Sequence, residues 1–187
     1  MSQYEVTFAG FGGQGIMTAG QLLAYTGMNA GKQVAWIPSY GPEMRGGTAY
    51  CTVVVSDERI GSPIINRPQG ICVFNRPSLD KFGPRVKPGG LLIINSSLVD
   101  ATSDRDDIQV LEIPANDIAQ KAGSGKATNM VVLGAFVGAT GIVEFDKLKE
   151  TLTEKMGRKK DLLQINYKAL DEGYELGRKA KEEKVKG

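Results

Sequence analysis

Tyr4-Glu5-Val6-Thr7-Phe8-Ala9 runs directly into Gly10-Phe11-Gly12-Gly13-Gln14-Gly15, and Ile16, Ala19, Leu22 and Leu23 then recur at helical spacing. The first segment alternates and then turns wholly apolar, as a buried strand does. The glycines allow a tight turn, and the periodic segment predicts a helix over residues 15–30. Gly27 is a weak point inside that helix, and Gly31 suits a left-handed turn that ends it. Residues 33–37 (QVAWI) read as a second strand, closed by Pro38. Strand, helix and strand over about 35 residues match the length of a right-handed βαβ crossover.

Outward from this unit the alternation of strands and helices continues. Residues 48–56 (TAYCTVVVS) form a strand with Ala49, Cys51, Val53 and Val55 on one face. Asp57 to Gly61 reads as a turn before a short return segment at 62–65, which predicts an antiparallel hairpin added to a parallel sheet. Residues 70–75 and 91–95 read as buried strands, 108–113 as an edge strand, and 77–82 and 115–122 as short helices. Residues 130–140 are apolar nearly all round and predict a buried helix. Asp146 is placed to cap a helix bearing Leu148, Leu152 and Met156. A last helix over 159–180 lines up Leu162, Asn166, Leu170, Gly173 and Gly177, its glycines suggesting close contact with another backbone. Residues 179–187 read as a frayed tail. No repeat or long linker divides residues 1–187, so one three-layer α/β unit is expected, with a mostly parallel sheet and C-terminal helices.

Composition removes several classes of chemistry. The 187 residues include no histidine, so no His-dependent triad, imidazole base or His metal ligand can come from them. Cys51 and Cys72 are the only cysteines and have no C-x-x-C spacing, whereas an iron–sulfur cluster takes four ligands. Sparse cysteine and an apolar run at 130–139 that contains two glycines predict a cytoplasmic chain with no membrane association. The chain opens almost at once on a strand, so no signal peptide is expected. Residues 1–145 carry 11 basic and 12 acidic side chains and residues 146–187 carry 12 and 9, which argues against a nucleic-acid partner. Glycine is the outlier, 24 residues or about 13%, against roughly 7% in ordinary proteins.

Two loops stand out. Gly10 to Gly15 fits G-x-G-x-x-G between strand and helix, where main-chain N–H groups and the helix dipole favour an anion. A turn that merely packs helix on strand explains the glycines equally well. An NAD site also wants a carboxylate at the end of the second strand. That strand ends Trp36-Ile37-Pro38-Ser39-Tyr40, and Glu43 lies farther on inside a loop, so NAD is disfavoured. No Lys-Ser or Lys-Thr pair follows the loop, so it is not a Walker loop. The second segment, Ser39-Tyr40-Gly41-Pro42-Glu43-Met44-Arg45-Gly46-Gly47, should leave the sheet's carboxyl edge beside the first. Arg45 could fork onto a phosphate or carboxylate; the loop could equally dock a partner subunit or only hold its own shape.

Phe8-Ala9-Gly10-Phe11-Gly12-Gly13-Gln14-Gly15, then Pro38 to Thr48 (PSYGPEMRGGT), then Asn129-Met130 before a glycine-bearing apolar helix, then Asn166 with Ala169-Leu170 and Gly173-Tyr174, resemble the gamma subunit of 2-oxoacid:ferredoxin oxidoreductases. The resemblance covers nearly the whole chain in order and implies a Rossmann-like fold. It also implies an enzyme that decarboxylates a 2-oxoacid on thiamine diphosphate with Mg, passes electrons through iron–sulfur clusters to ferredoxin, and releases an acyl-CoA. Alpha, beta and ferredoxin-like delta subunits would carry those groups. This chain would bind none of them tightly and would be inactive alone, with coenzyme A as a shared ligand and a homodimer as its form in isolation. The 2-oxoglutarate type is expected first, then branched-chain 2-oxoacid and pyruvate types. Carried over residue by residue, Gly12, Gly13, Gln14 and Gly15 would lie near an anionic group, and Ser39, Tyr40 and Arg45 would flank the path to the thiamine site. No catalytic residue is expected, and Asn129 is expected to cap its helix. A stand-alone nucleotide-binding module using the glycine loop is the rival reading.

Overall fold

The computed structural model describes residues 3–39 and 48–186. Strand β1 (Gln3–Phe11) leads through the glycine loop into α1 (Ile16–Asn29), β2 (Gln33–Ser39) and β3 (Thr48–Ser56). Then come β4 (Gly70–Val73), α2 (Arg76–Phe82), β5 (Leu91–Asn95), β6 (Gln109–Ile113), α3 (Ala115–Ala122), α4 (Thr128–Thr140), α5 (Phe145–Met156) and α6 (Lys160–Lys186). The six strands form one sheet in the order β2-β3-β1-β4-β5-β6. Strands β1, β4, β5 and β6 pair in parallel, whereas β3 runs antiparallel to both of its neighbours.

The antiparallel element is therefore the β2–β3 hairpin and not a return strand at 62–65. All nine residues of β3 pair with β1, from Gln3 opposite Ser56 to Phe11 opposite Thr48, and β2 takes its other edge. No edge is left for a third partner, and Pro63 would in any case lack a donor. Strand β2 also continues through Pro38, which stands opposite Cys51. An edge strand uses only half of its N–H groups, so a proline is tolerated there.

Alternation along the strands sorts the core into two faces. Tyr4, Val6, Phe8, Cys51, Val53, Leu91 and Ile93 face α1 and α4, while Ala9, Ile71, Val73, Leu92 and Ile94 pack against Leu79 and Phe82 of α2, with Val86 and Val99. This gives the three layers expected. Helix α4 is buried from Thr128 to Gly138 because it lies between the sheet and α6. Phe136 meets Tyr4 and Phe8 edge-on at 5.7 and 5.9 Å on the sheet side. On the other side Gly134 and Gly138 lie against the carbonyls of Leu170 and Tyr174, and Gly173 and Gly177 lie against those of Val131 and Ala135. A Cβ at any of the four would come closer than 3.0 Å to backbone.

Three details of the C-terminal helices differ from expectation. The buried stripe of α6 starts at Leu163, with Leu162 38% exposed, since 163, 166, 170, 173 and 177 keep the alternating spacing of three and four. Helix α5 begins at Phe145 after Glu144, leaving Asp146 inside its first turn. Helix α6 runs to Lys186, so the last turns counted as a tail are helical; Arg178 bridges Glu175 and Glu182 there. Replacing Gly177 by Val should destabilise the protein by more than about 2 kcal/mol in urea unfolding, because backbone cannot move away from the new side chain. Gly61→Ala, where the added methyl meets open space, should stay within about 0.5 kcal/mol.

Candidate functional site

The sheet's connections leave β1 in one direction and β4 in the other, so the ends of these two strands form the switch point at which open α/β folds place ligands. The glycine loop follows β1 at that point. Gly10 is pressed between Ile16 and Phe74, where an added Cβ would meet carbon atoms of both at 2.9 Å. Gln14 folds back so that its Oε1 accepts the Phe11 N–H at 2.7 Å. Gly13 and Gly15 hold φ angles of 92° and 77°, open to glycine at little cost. Gly15 caps α1 without a side-chain hydrogen bond, and no acidic residue stands in the first turn. The helix thus starts with unclaimed N–H groups and a positive dipole end.

Helix α4 arrives at the same place. Asn129, expected from sequence to cap it, does not, because α4 already starts at Thr128; its Nδ2 donates to the Gly15 carbonyl at 3.2 Å, an oxygen that also accepts from the Ala19 N–H at 3.0 Å. Just before α4, Ser124 Oγ accepts the Lys126 N–H at 3.2 Å and Thr128 Oγ1 donates to the Gly125 carbonyl at 2.8 Å. These bonds set Lys126 beside the loop. Two joined concavities result. One of about 180 Å³ is lined by Gly13, Gln14, Asn116, Gly125, Lys126 and Thr128. The other, of about 270 Å³, is bounded by Gly13, Gly15, Lys126, Asn129, Met156 and Asn166, among others.

The structure thus brings Gly13, Gln14 and Gly15 together, while Gly12 is exposed at the loop's tip and lines neither concavity. Ser39 shares the rim: it stands opposite Tyr50, which stands opposite Ala9. It nevertheless opens into a separate groove of about 370 Å³ beside Thr7, Tyr50, Thr52 and Arg85. Tyr40 and Arg45 lie outside the described residues. Lys126 and Asn166 were not foreseen as site residues. Ser124-Gly125-Lys126 ahead of an apolar helix is a turn signal with a cation at a helix start, and it could have pointed to Lys126.

Neither thiol is poised to react. Burial pushes Cys51 up to about 12, and its Sγ donates to the Ile16 carbonyl at 3.6 Å. Cys72 is also driven well above the usual thiol range, first by burial and then by Cys51. Among the described residues no cluster of three or more His, Cys, Asp or Glu could hold a metal ion, and no helix is long and apolar enough to cross a membrane.

A glycine loop at the switch point of a three-layer α/β sheet, flanked by Lys126 and by an α1 start with no side-chain cap, sets main-chain N–H groups at the rim. Residues 5–176 match the family model of pyruvate ferredoxin/flavodoxin oxidoreductase, and the chain belongs to that family. It is 37% identical over 179 residues to ketoisovalerate oxidoreductase subunit VorA of Methanothermobacter marburgensis, covering 95% of this chain and 37% of that protein. It is 30% identical to 2-oxoglutarate synthase subunit KorC of Methanocaldococcus jannaschii, over 93% of this chain and 94% of the relative. The chain therefore spans little more than a third of the VorA relatives it matches.

Among solved structures, the gamma subunit of a keto/oxoacid ferredoxin oxidoreductase from Geobacter sulfurreducens superposes with a TM-score of 0.85 and 28% identity, covering 96% of this chain and 99% of that one. The 2-oxoglutarate:ferredoxin oxidoreductase of Magnetococcus marinus, solved with 2-oxoglutarate, coenzyme A and succinyl-CoA, gives 0.87 and 28%, over 95% of this chain and 31% of that chain.

Two outcomes test this geometry. In the folded protein at about pH 8 both thiols should resist alkylation and react only after denaturation, since the thiolate is the reactive form; rapid labelling of either would contradict the burial. Asn129→Ala should cost roughly 1 kcal/mol and speed amide exchange across residues 11–15, because the loop loses its tie to α4.

Proposed function

We propose that this chain is the gamma subunit of a multi-subunit 2-oxoacid:ferredoxin oxidoreductase, the enzyme that joins a 2-oxoacid to coenzyme A, releases carbon dioxide and passes electrons to ferredoxin. The observation that carries the reading is the family match over residues 5–176, supported by likeness to a gamma subunit along almost its full length. In this reading the chain supplies no acid, base or nucleophile. Iron–sulfur clusters do not fit it: its two cysteines stand on either side of Phe8 inside the core, too few and too buried to ligate one. Thiamine diphosphate, Mg and the clusters belong to alpha, beta and delta partners in the cytoplasm.

The glycine loop, with Gly12, Gly13, Gln14 and Gly15, would present main-chain N–H groups to the anionic part of coenzyme A. Ser39, Tyr40 and Arg45 would guide the same ligand toward the partner's reacting centre. Coenzyme A bound in the related Magnetococcus structure supports this assignment. Higher identity to a ketoisovalerate relative sets a branched-chain acid beside 2-oxoglutarate as substrate class. Partner chains would make that choice. A stand-alone nucleotide-binding module remains the rival, favoured by the G-x-G-x-x-G loop; tight dinucleotide binding by the isolated chain in calorimetry would support it.

Assembled with its partners, the enzyme should reduce viologen with a 2-oxoacid and coenzyme A, and the isolated chain should not. Arg45→Ala in the complex should raise the KM for coenzyme A about tenfold, the scale of one charge-assisted hydrogen bond, with assembly intact. Viologen reduction by the chain alone would overturn the proposal.

A further inference from the structure

The 270 Å³ cleft is lined by two carboxamides whose nitrogens, but not whose oxygens, are used within the chain. Asn129 and Asn166 are only 6% and 8% exposed. Asn129 spends its Nδ2 on the Gly15 carbonyl, and Asn166 spends its own on Met156 Sδ at 3.4 Å. Among the described residues neither Oδ1 accepts a hydrogen bond. Neither is sealed in protein either, since the fully enclosed orphan side-chain atoms are Trp36 Nε1, Asn75 Nδ2 and Ser78 Oγ. Two residues with an acceptor to spare thus line one small space. An acceptor that water reaches and no protein donor occupies can take an N–H from a ligand in exchange for that water.

The surroundings say what else the donor must carry. At the loop end stand the Gly13–Gly15 backbone, the uncapped start of α1 and Lys126, which together favour an anion. On the α5–α6 side the wall is Met156, Leu162 and Ile165, and no carboxylate lines the cleft. We infer that Asn166 is a specificity residue, its Oδ1 accepting an N–H from the organic part of a phosphate ester whose anionic end sits at Lys126 and the glycine loop. An otherwise apolar body would lie along Met156. Two moieties have this chemistry: an aminopurine on a phosphorylated ribose, and the amide-bearing arm of a pantetheine phosphate. Coenzyme A contains both, so the inference rests on the subunit reading for its biological ligand but not for its chemistry.

The test titrates the full-length chain with adenosine 3′,5′-bisphosphate, 4′-phosphopantetheine and inorganic pyrophosphate. One organic probe should bind at least about tenfold more tightly than pyrophosphate, and which one does identifies the moiety. Asn166→Leu should erase that margin and leave pyrophosphate binding unchanged, whereas Lys126→Ala should weaken all three. Should Asn166→Leu fail to fold, the wild-type chain labelled at its methionine methyls answers instead: the Met156 resonance should move with the organic probe and stay still with pyrophosphate. Equal binding of all three probes, a margin that survives Asn166→Leu, or an unmoved Met156 would overturn the inference. A chain that fails these titrations yet assembles into an active complex would leave the subunit reading standing; one that passes them without ever finding partners would do the reverse.

Discussion

Helix α4 touches α6 through backbone. Glycines at 134 and 138 on one helix and at 173 and 177 on the other let carbonyl oxygens approach where any side chain would stand between them. Each glycine costs roughly 1 kcal/mol of helix propensity. Dispersion across a close-packed crossing, and burial of α4 on every side, offset that cost. The crossing makes α4 the middle of three stacked elements. Phe136 locks it to the sheet, and α6 locks it from outside. Its first turn is thereby held over the end of β1, where Asn129 grips the Gly15 carbonyl across 114 residues of sequence. The same crossing carries Asn166 on the buried stripe of α6 into the cleft below the loop. The rim thus inherits its shape from a contact made well beneath it.

Insertion of β3 between β1 and β2 is the second organising fact. It sets the ends of β1 and β2 at one edge of the sheet, since both strands run antiparallel to β3 and so point the same way. Side-chain alternation then separates them. Ser39 opens into a groove also lined by Thr7 and Thr52, whose hydroxyls meet at 2.9 Å, while the glycine loop opens beneath α1 and α4.

In the proposed reading this rim holds a ligand and does not react with it: main-chain N–H groups, a lysine and amides would bind and orient charge, while burial pushes both thiols above the usual thiol range. That character agrees with a chain whose relatives are single subunits of larger oxidoreductases.

Local signals carried much of the fold. The strand, glycine loop and helix at 3–29, the buried helix at 128–140 and the need of Gly173 and Gly177 for a neighbouring backbone follow from periodicity and from what glycine permits, because these depend on residues close in sequence. The family resemblance rested on the same short segments. Pairing partners did not follow: whether β3 returns to β2 or to residues 62–65 depends on which sheet edge is free, a property of the assembled sheet. Likewise Leu162 and Leu163 differ by one step in sequence but by about 100° around a helix, and only the packed position of α6 chose between them. The meeting of Lys126, Asn129 and Asn166 with Gly13 and Gly15 joins residues more than a hundred positions apart. Tertiary packing alone brings such groups together, since nothing in their local sequence encodes the distance.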